Sequence, residues 1–298
     1  MKIGTRGSQL ARWQAEWVRA RLAKLGVTTE LVVIKTRGDA EVDRPLHELE
    51  GKGFFTKEIE DALLDRRIDV AVHSLKDLPT ALPPGLVLGA IPPRHDAREA
   101  LVSGTSISGL PAGTRVGTSS LRRIAQIRFL RPDLEVVPLR GNVPTRVRKA
   151  ESRDGLDAAL LALAGLERLD LGGKASPVDP LDVMPAPGQG ALGIEVRSDD
   201  RETRTGLQSL HDAASAAAVT AERALLAALG GGCQAPVAAY VGSGERGAGS
   251  RLYGRVTAQD GSVQLTASGE LDPERPEAAG ETVARLLERE GAASLLAR

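Results

Sequence analysis

Cysteine is nearly absent: Cys233 is the single thiol in 298 residues. That excludes an internal disulfide framework and any paired-cysteine metal knot, and no metal site is expected. Aromatic residues are also scarce at 2%, so the core has to be built from Leu, Val, Ile and Ala. Neither sign of charge is in excess, with 39 Lys+Arg against 39 Asp+Glu and a formal net charge of zero. This argues against a nucleic-acid partner gripped by bulk charge, while leaving room for a local basic pocket. No apolar run approaches the length needed to span a bilayer. The start, Met1-Lys2-Ile3-Gly4-Thr5-Arg6, has no apolar stretch behind its basic residue, so no signal peptide is expected. The expectation is a cytoplasmic protein with no membrane or nucleic-acid partner. What remains is ordinary for a globular chain, 42% hydrophobic and 26% charged, and long enough for two or three domains.

The lone thiol lies in Gly230-Gly231-Gly232-Cys233-Gln234-Ala235-Pro236. An Ala/Leu-rich helix is expected from Asp212 to Leu229, stopped by the glycines. A strand is expected from Val237 to Val241, which puts Cys233 on a loop whose glycines allow close approach of another group. The competing reading is a small buried hydrophobe.

From the start, Lys2–Thr5 reads as a strand. Leu10, Trp13, Trp17, Val18, Leu22 and Leu25 mark an amphipathic helix closed by Gly26, and Leu31–Ile34 forms the next strand. Strand, helix, strand implies a βαβ unit and a parallel sheet. Ser8, beside Arg6, falls at the helix start, where it is either an anion contact or only an N-cap. Residues 41–57 lack periodicity and read as a mobile loop, a candidate lid containing Lys52. Thr56 is expected to cap a helix through Leu64. Asp69–Ser74 is a buried strand running into Leu75-Lys76-Asp77-Leu78-Pro79, placing Lys76 and Asp77 at a strand's carboxyl end, where open α/β sheets bind ligands. The bland alternatives are a solvated Lys–Asp pair and a core role for His73. Leu86–Ile91 is a further strand, followed by the stiff crossover Pro92-Pro93-Arg94-His95-Asp96.

The pattern then repeats. A strand starts near Ala100, Arg115–Thr118 is another, Ser119-Ser120 caps a helix over Leu121–Arg128, and Leu134–Leu139 leads into Arg140-Gly141-Asn142-Val143-Pro144-Thr145-Arg146. Asp157–Ala164 reads as a buried strand ahead of Arg168. Residues 184–190 form a second crossover, and Ala191–Val196 is expected to return to the first lobe. Two hairpin runs around Gln259-Asp260-Gly261 and helices over Glu277–Arg289 and Ala292–Leu296 complete a small α+β domain. The expected fold is α/β: two similar lobes joined by two crossovers, a clamshell resembling type II periplasmic-binding-protein lobes, plus the small α+β domain. The expected boundaries are 1–92 with 191–210, 96–188, and 212–298.

Arg6, Arg122, Arg123, Arg140, Arg146, Arg168 and Lys76 all fall at strand ends or helix starts. Singly each reads as a surface charge. Together, in a chain without net charge, they suit a ligand with several carboxylates or phosphates, because arginine forks bind such groups bidentately. Asp77 among them stays ionised and can offset a developing cation.

The motifs His73-Ser74-Leu75-Lys76-Asp77-Leu78-Pro79, Gly117-Thr118-Ser119-Ser120-Leu121-Arg122-Arg123, Leu139-Arg140-Gly141-Asn142, Gly188-Gln189-Gly190 and Gly231-Gly232-Cys233-Gln234-Ala235-Pro236 resemble the porphobilinogen deaminase family, also called hydroxymethylbilane synthases. The resemblance runs in order over essentially the whole chain. It implies head-to-tail joining of four porphobilinogen molecules to the linear tetrapyrrole hydroxymethylbilane, with loss of ammonia. It also implies a dipyrromethane cofactor joined by a thioether to Cys233. On the family pattern Asp77 is catalytic, Lys76, Ser120, Arg122 and Arg123 bind the cofactor, and Arg6, Ser8, Arg140, Arg146 and Arg168 hold carboxylate arms of the substrate or growing chain. Lys52 falls in the family's lid, and a monomer is expected. Pro144 departs from the pattern, because proline removes an N–H where relatives carry glycine or a polar residue. Read without the resemblance, the same features also fit a solute-binding clamshell for a polycarboxylated small molecule, or a thiol transferase with another acidic substrate.

Overall fold

Short β-branched and leucine runs, each bounded by glycine or a polar turn, build three sheets. The computed structural model describes residues 1–40, 56–103, 106–231, 235–243 and 249–296; Lys52 and Cys233 lie outside the described residues. In order, the elements are β1 (Lys2–Thr5), α1 (Gln9–Lys24), β2 (Glu30–Val33), α2 (Arg37–Ala40), α3 (Lys57–Leu64), β3 (Val70–Ser74), β4 (Leu86–Ala90), β5 (Glu99–Val102), β6 (Arg115–Gly117), α4 (Leu121–Leu130), β7 (Glu135–Val137), α5 (Val143–Glu151), β8 (Ala158–Ala162), α6 (Leu163–Glu167) and β9 (Ala175–Pro177). Then follow β10 (Leu192–Arg197), α7 (Arg201–Leu207), α8 (Ala213–Ala228), β11 (Val237–Ser243), β12 (Ser250–Thr257), β13 (Gln264–Glu270), α9 (Pro276–Arg289) and α10 (Ala292–Leu296).

The chain divides into two compact units, Met1–His95 with Gly190–Ala216, and Asp96–Gln189 with Ala217–Arg298. The first contains the sheet β2-β1-β3-β10-β4. β1 runs parallel to β2 and β3, while β10 is antiparallel to β3 and β4. Val18 and Leu22 of α1 pack with Val70, Val72, Ile194 and Val196 on one face. Ile59, Ala62 and Leu63 of α3 pack with Ala71 and Leu86 on the other. With both faces covered, the strands read as continuous apolar runs rather than alternating ones.

The second unit repeats this order as β7-β6-β8-β5-β9. β6 is parallel to β7 and β8, and β5 is antiparallel to β8 and β9. It also carries the meander β11-β12-β13, joined through the register Val256↔Leu265. Val283 and Leu287 of α9 pack on Leu252 and Val256 of that sheet, with Leu225 of α8.

Several expectations are corrected. Neither five-stranded sheet is purely parallel, because each takes one antiparallel strand from just beyond a crossover. The run Asp157–Ala164 is strand only to Ala162; Leu163 to Glu167 is helical. A short apolar run does not by itself separate buried strand from buried helix. Val143–Glu151, for which the sequence reading offers no element, form α5. Thr56 precedes α3 but makes no side-chain cap; its carbonyl accepts from Ile59 and Glu60 at 2.9 and 2.8 Å.

Candidate active site

In the first unit, β1 and β3 are parallel neighbours, so the segments that follow them leave the same sheet edge. Thr5 ends β1 and turns its hydroxyl back onto the Ala11 carbonyl at 3.0 Å. Ser8 is the N-cap of α1, its Oγ accepting from the Ala11 N–H at 3.2 Å. The cap uses an oxygen lone pair and leaves the hydroxyl proton to donate, so capping and anion contact are compatible roles. Arg6 is half-buried in the same turn.

Ser74 closes β3. Its Oγ accepts from Nε2 of the buried Gln14 on α1 at 2.8 Å, and the Leu75 N–H donates to the Ala191 carbonyl at 3.0 Å. These bonds fix the single 3-10 turn Leu75–Asp77 that carries Lys76 and Asp77, both half-buried. His73 turns inward: its Nε2 lies 3.2 Å from a Glu195 carboxylate oxygen, close in distance but off the line of a hydrogen bond. The core reading of His73 is therefore the right one.

In the second unit, β7, β6 and β8 are parallel neighbours, and their carboxyl ends deliver the remaining described cations to one edge. Ser119 locks the turn after β6: its Oγ donates to the Leu139 carbonyl and accepts from the Leu139 N–H, each at 3.0 Å. Ser120 heads α4 without a side-chain cap, in contrast to the expected cap. Arg122 and Arg123 follow in the first turn, both only 6% exposed.

Both grip Glu99, the first residue of β5. That strand is antiparallel to β8, and Glu99 faces Ala162 at the end of β8, so it reaches the same edge. Arg122 Nη2 donates to Glu99 Oε1 at 2.6 Å; Arg123 donates through Nε to Oε1 at 3.1 Å and through Nη2 to Oε2 at 2.7 Å. Arg122 Nη1 donates to the Met184 carbonyl, which also accepts from Gln126 Nε2 at 3.0 Å. Burial lowers the pKa of Arg122, and the charge of Arg123 pushes the same way against the pull of Glu99.

Arg140 follows β7 and is half-buried. Gly141 has φ +114, which admits glycine with little strain. Arg146 Nε donates to the Gly141 carbonyl at 2.7 Å, and Asn142 caps α5 by accepting from Thr145 N–H at 2.9 Å. Pro144 stands in the first turn of α5, where the missing N–H has no helical partner to lose. The Arg146 N–H still reaches the Asn142 carbonyl at 3.0 Å. Arg168, at the end of α6, is 4% exposed. Burial lowers its pKa to about 10, opposed by the neighbouring charge of Glu167.

The loop of Cys233 is described on its flanks. α8 ends with Gly230 at φ +66; the Gly230 N–H donates to the Ala227 carbonyl and the Gly231 N–H to the Leu226 carbonyl, each at 3.0 Å. Glu222 of α8 is fully buried and accepts from the Gly188 N–H at 2.8 Å and the Val241 N–H at 2.9 Å. It thereby ties the second crossover and β11 to the helix that leads into the thiol loop.

The structure thus gathers Arg6, Ser8, Lys76 and Asp77 on one sheet edge, and Ser120, Arg122, Arg123, Arg140, Arg146 and Arg168 on the equivalent edge of the other unit. Arg122 and Arg168, buried enough to lose part of their basicity, suit an anionic ligand whose charge offsets the lost solvation. Glu99 and the buried role of Gln126 are not legible in the sequence, and Glu222, expected on the polar side of its helix, is instead fully buried. The signal available for Glu99 was a carboxylate heading the apolar run Ala100–Val102.

A family model described as "Porphobilinogen deaminase, dipyromethane cofactor binding domain" matches residues 1–205, and "Porphobilinogen deaminase, C-terminal domain" matches 216–289. The chain is 49% identical over 302 residues to a porphobilinogen deaminase of Syntrophotalea carbinolica, covering 100% of this chain and 95% of that protein. It is 49% identical to one from Moorella thermoacetica, covering 99% and 95%. With one from Acidithiobacillus ferrooxidans it shares 48%, covering 99% and 97%.

Proposed function

Because the chain belongs to the porphobilinogen deaminase family, we propose that it is a hydroxymethylbilane synthase. It joins four porphobilinogen molecules head to tail into hydroxymethylbilane and releases ammonia at each addition. The likeness over the whole chain carries this reading. The cofactor of the family's first domain is dipyrromethane, which supplies a pyrrole primer for chain growth.

The residue roles are carried over from the family pattern onto the matching positions of this chain. Ser120, Arg122, Arg123 and Lys76 hold the cofactor, and Cys233 is its covalent anchor through a thioether. Arg6, Ser8, Arg140, Arg146 and Arg168 orient carboxylate arms of the substrate and of the growing chain through charge-assisted hydrogen bonds, each contributing roughly 1.5–3 kcal/mol. Asp77 accepts a pyrrole N–H and keeps a negative charge beside the ring as ammonia leaves and positive charge develops. Lys52 is assigned to a lid over the site. We further assign the boundaries 1–92 with 191–210, 96–188 and 212–298 to three domains, and a monomeric state in the cytoplasm. Among the described residues no helix is long and apolar enough to cross a membrane.

Intact mass tests the reading. Wild-type protein is expected to be heavier than its sequence by one dipyrromethane and to give a pyrrole colour with Ehrlich's reagent after denaturation. Cys233→Ser is expected to match its sequence mass, stay folded and lose nearly all activity. A wild-type mass equal to the sequence would instead favour a solute-binding protein.

A further inference from the structure

Glu99 is a fully buried carboxylate that holds two guanidinium groups at once. A lone buried carboxylate is costly, and one anion between two cations leaves a positive charge over within the trio. If stability alone were selected at this point, apolar side chains of similar volume would serve as well or better. The arrangement has a second property, which is orientation. Arg123 is held by two parallel bonds from Nε and Nη2 to the two oxygens of Glu99, the geometry that fixes the plane of a guanidinium. Arg122 is held from both ends, by Glu99 at Nη2 and by the Met184 carbonyl at Nη1. Met184 is itself fixed, its N–H donating to Gln126 Oε1 at 2.8 Å. Neither arginine can leave its place without breaking a buried charge-assisted bond.

We propose that Glu99 is a positioning residue for the cofactor cradle. It aligns Arg122 and Arg123 before the cofactor arrives and leaves one positive charge on the trio for a single carboxylate arm of dipyrromethane. This rests on the assignment of Arg122 and Arg123 to cofactor binding. It predicts that the charge of Glu99, rather than its bulk, is what the site uses. Glutamine keeps the bulk and loses the charge, and its amide nitrogen presents donors to arginine donors. Aspartate keeps the charge on an arm shorter by one methylene.

The experiment loads apo-protein with porphobilinogen and follows cofactor attachment by intact mass, with thermal melting of the apo-protein measured in parallel. Glu99→Gln is expected to attach cofactor at least roughly tenfold more slowly than wild type, about the loss of one charge-assisted contact. Glu99→Asp is expected to attach it at close to the wild-type rate. Should Glu99→Gln be unstable alone, the loading is repeated in trimethylamine N-oxide, which favours the compact state without supplying an anion. A Glu99→Gln protein that loads at the wild-type rate would overturn the proposal. So would a folded Glu99→Asp protein that stays empty. A purely structural Glu99 would lower the melting temperature and leave the loading of the folded fraction unchanged, and that result also overturns it. If wild-type protein gains no mass, the cofactor reading itself has failed, which is a separate outcome.

Discussion

At the scale of single residues, the proposed chemistry separates groups that carry charge for the reaction from groups that carry it for the fold. Asp77 stands on a turn pinned by Ser74 and by the Leu75–Ala191 bond, so substitutions there change the site without unfolding the strand below. Asp77→Asn preserves shape and removes the charge that offsets the developing cation. It is expected to be nearly inactive yet folded. Asp77→Glu keeps the charge but displaces it by about 1 Å, which can cost on the order of 100-fold. Single-turnover rates with circular dichroism as the folding control decide this, and a near-normal rate in Asp77→Asn rules the role out. Arg168 makes the complementary case. A fall from the ordinary arginine value to about 10 works against the charged form in the folded protein by on the order of 3 kcal/mol. Below pH 10 both folded and unfolded chains hold this proton, so the cost is present in full. Above about 10, and up to the ordinary arginine value, the unfolded chain binds more protons, so stability rises with pH across that window. Arg168→Met is therefore expected to melt no lower than wild type at neutral pH while stalling elongation after the cofactor is attached. A clear drop in melting temperature with normal elongation would make Arg168 a structural residue.

At the scale of elements, the legible features were those set by local chemistry. The glycine run ends α8 as expected: Gly230 adopts φ +66, and the paired bonds to Ala227 and Leu226 form a Schellman cap. Among the described residues an added Cβ at Gly230 meets nothing within 4 Å, so the effect expected of Gly230→Ala is backbone strain. It is expected to cost about 1 kcal/mol, a drop of a few degrees in a thermal melt, with Gly230→Asn costing less. A loss no larger for Ala than for Asn would mean that the cap is not under conformational control. α5 was missed although its signals were present: Asn142 in the cap and Pro144 in the first turn mark a helix start. The basic composition around Arg140 and Arg146 reads as a ligand-binding turn and obscures that start. β8 was overrun because Ala158–Ala164 is uniformly apolar, and only the exchange of sheet for helical hydrogen bonds after Ala162 separates the two states. The antiparallel direction of β5 and β10 was not legible, since it depends on which distant strand each one meets. Glu99 was hidden for the same reason: its value lies in facing Ala162 and two arginines on another element.

At the scale of the whole molecule, the second unit joins a five-stranded sheet to the β11-β12-β13 meander, and Arg255 shows what joins them. It lies on β12, is 6% exposed, and donates to the carbonyls of Leu181 and Asp182 at 2.7 and 3.1 Å. It also donates to Gln126 Oε1 at 3.0 Å, the oxygen that accepts from Met184. Burial lowers the pKa of Arg255, partly offset by the charge of Asp182. Its bonds continue through Gln126 and Met184 to Arg122, so the C-terminal sheet shares one buried polar network with the proposed cofactor arginines. The expected sequence reading, a separate small domain, contained no sign of this, because Arg255 sits in an alternating strand whose partners come from Gln126 and the segment before the second crossover. Arg255→Met keeps the length of the side chain and removes every donor, leaving two carbonyls, an amide oxygen and the Thr266 hydroxyl without that partner. Breaking such a buried set is expected to cost on the order of 3 kcal/mol or more. The loss falls mainly on the junction, since three of the four partners lie outside the C-terminal sheet and the apolar packing of Leu252, Val256 and Val283 is untouched. The C-terminal sheet of Arg255→Met is therefore expected to open before the five-stranded sheet. In hydrogen exchange, amides of β11 to β13 should lose protection well ahead of those in β6 and β8, whereas in wild type they are expected to exchange together. Equal protection of both sheets in the variant would show that apolar contact, not this network, makes them one unit.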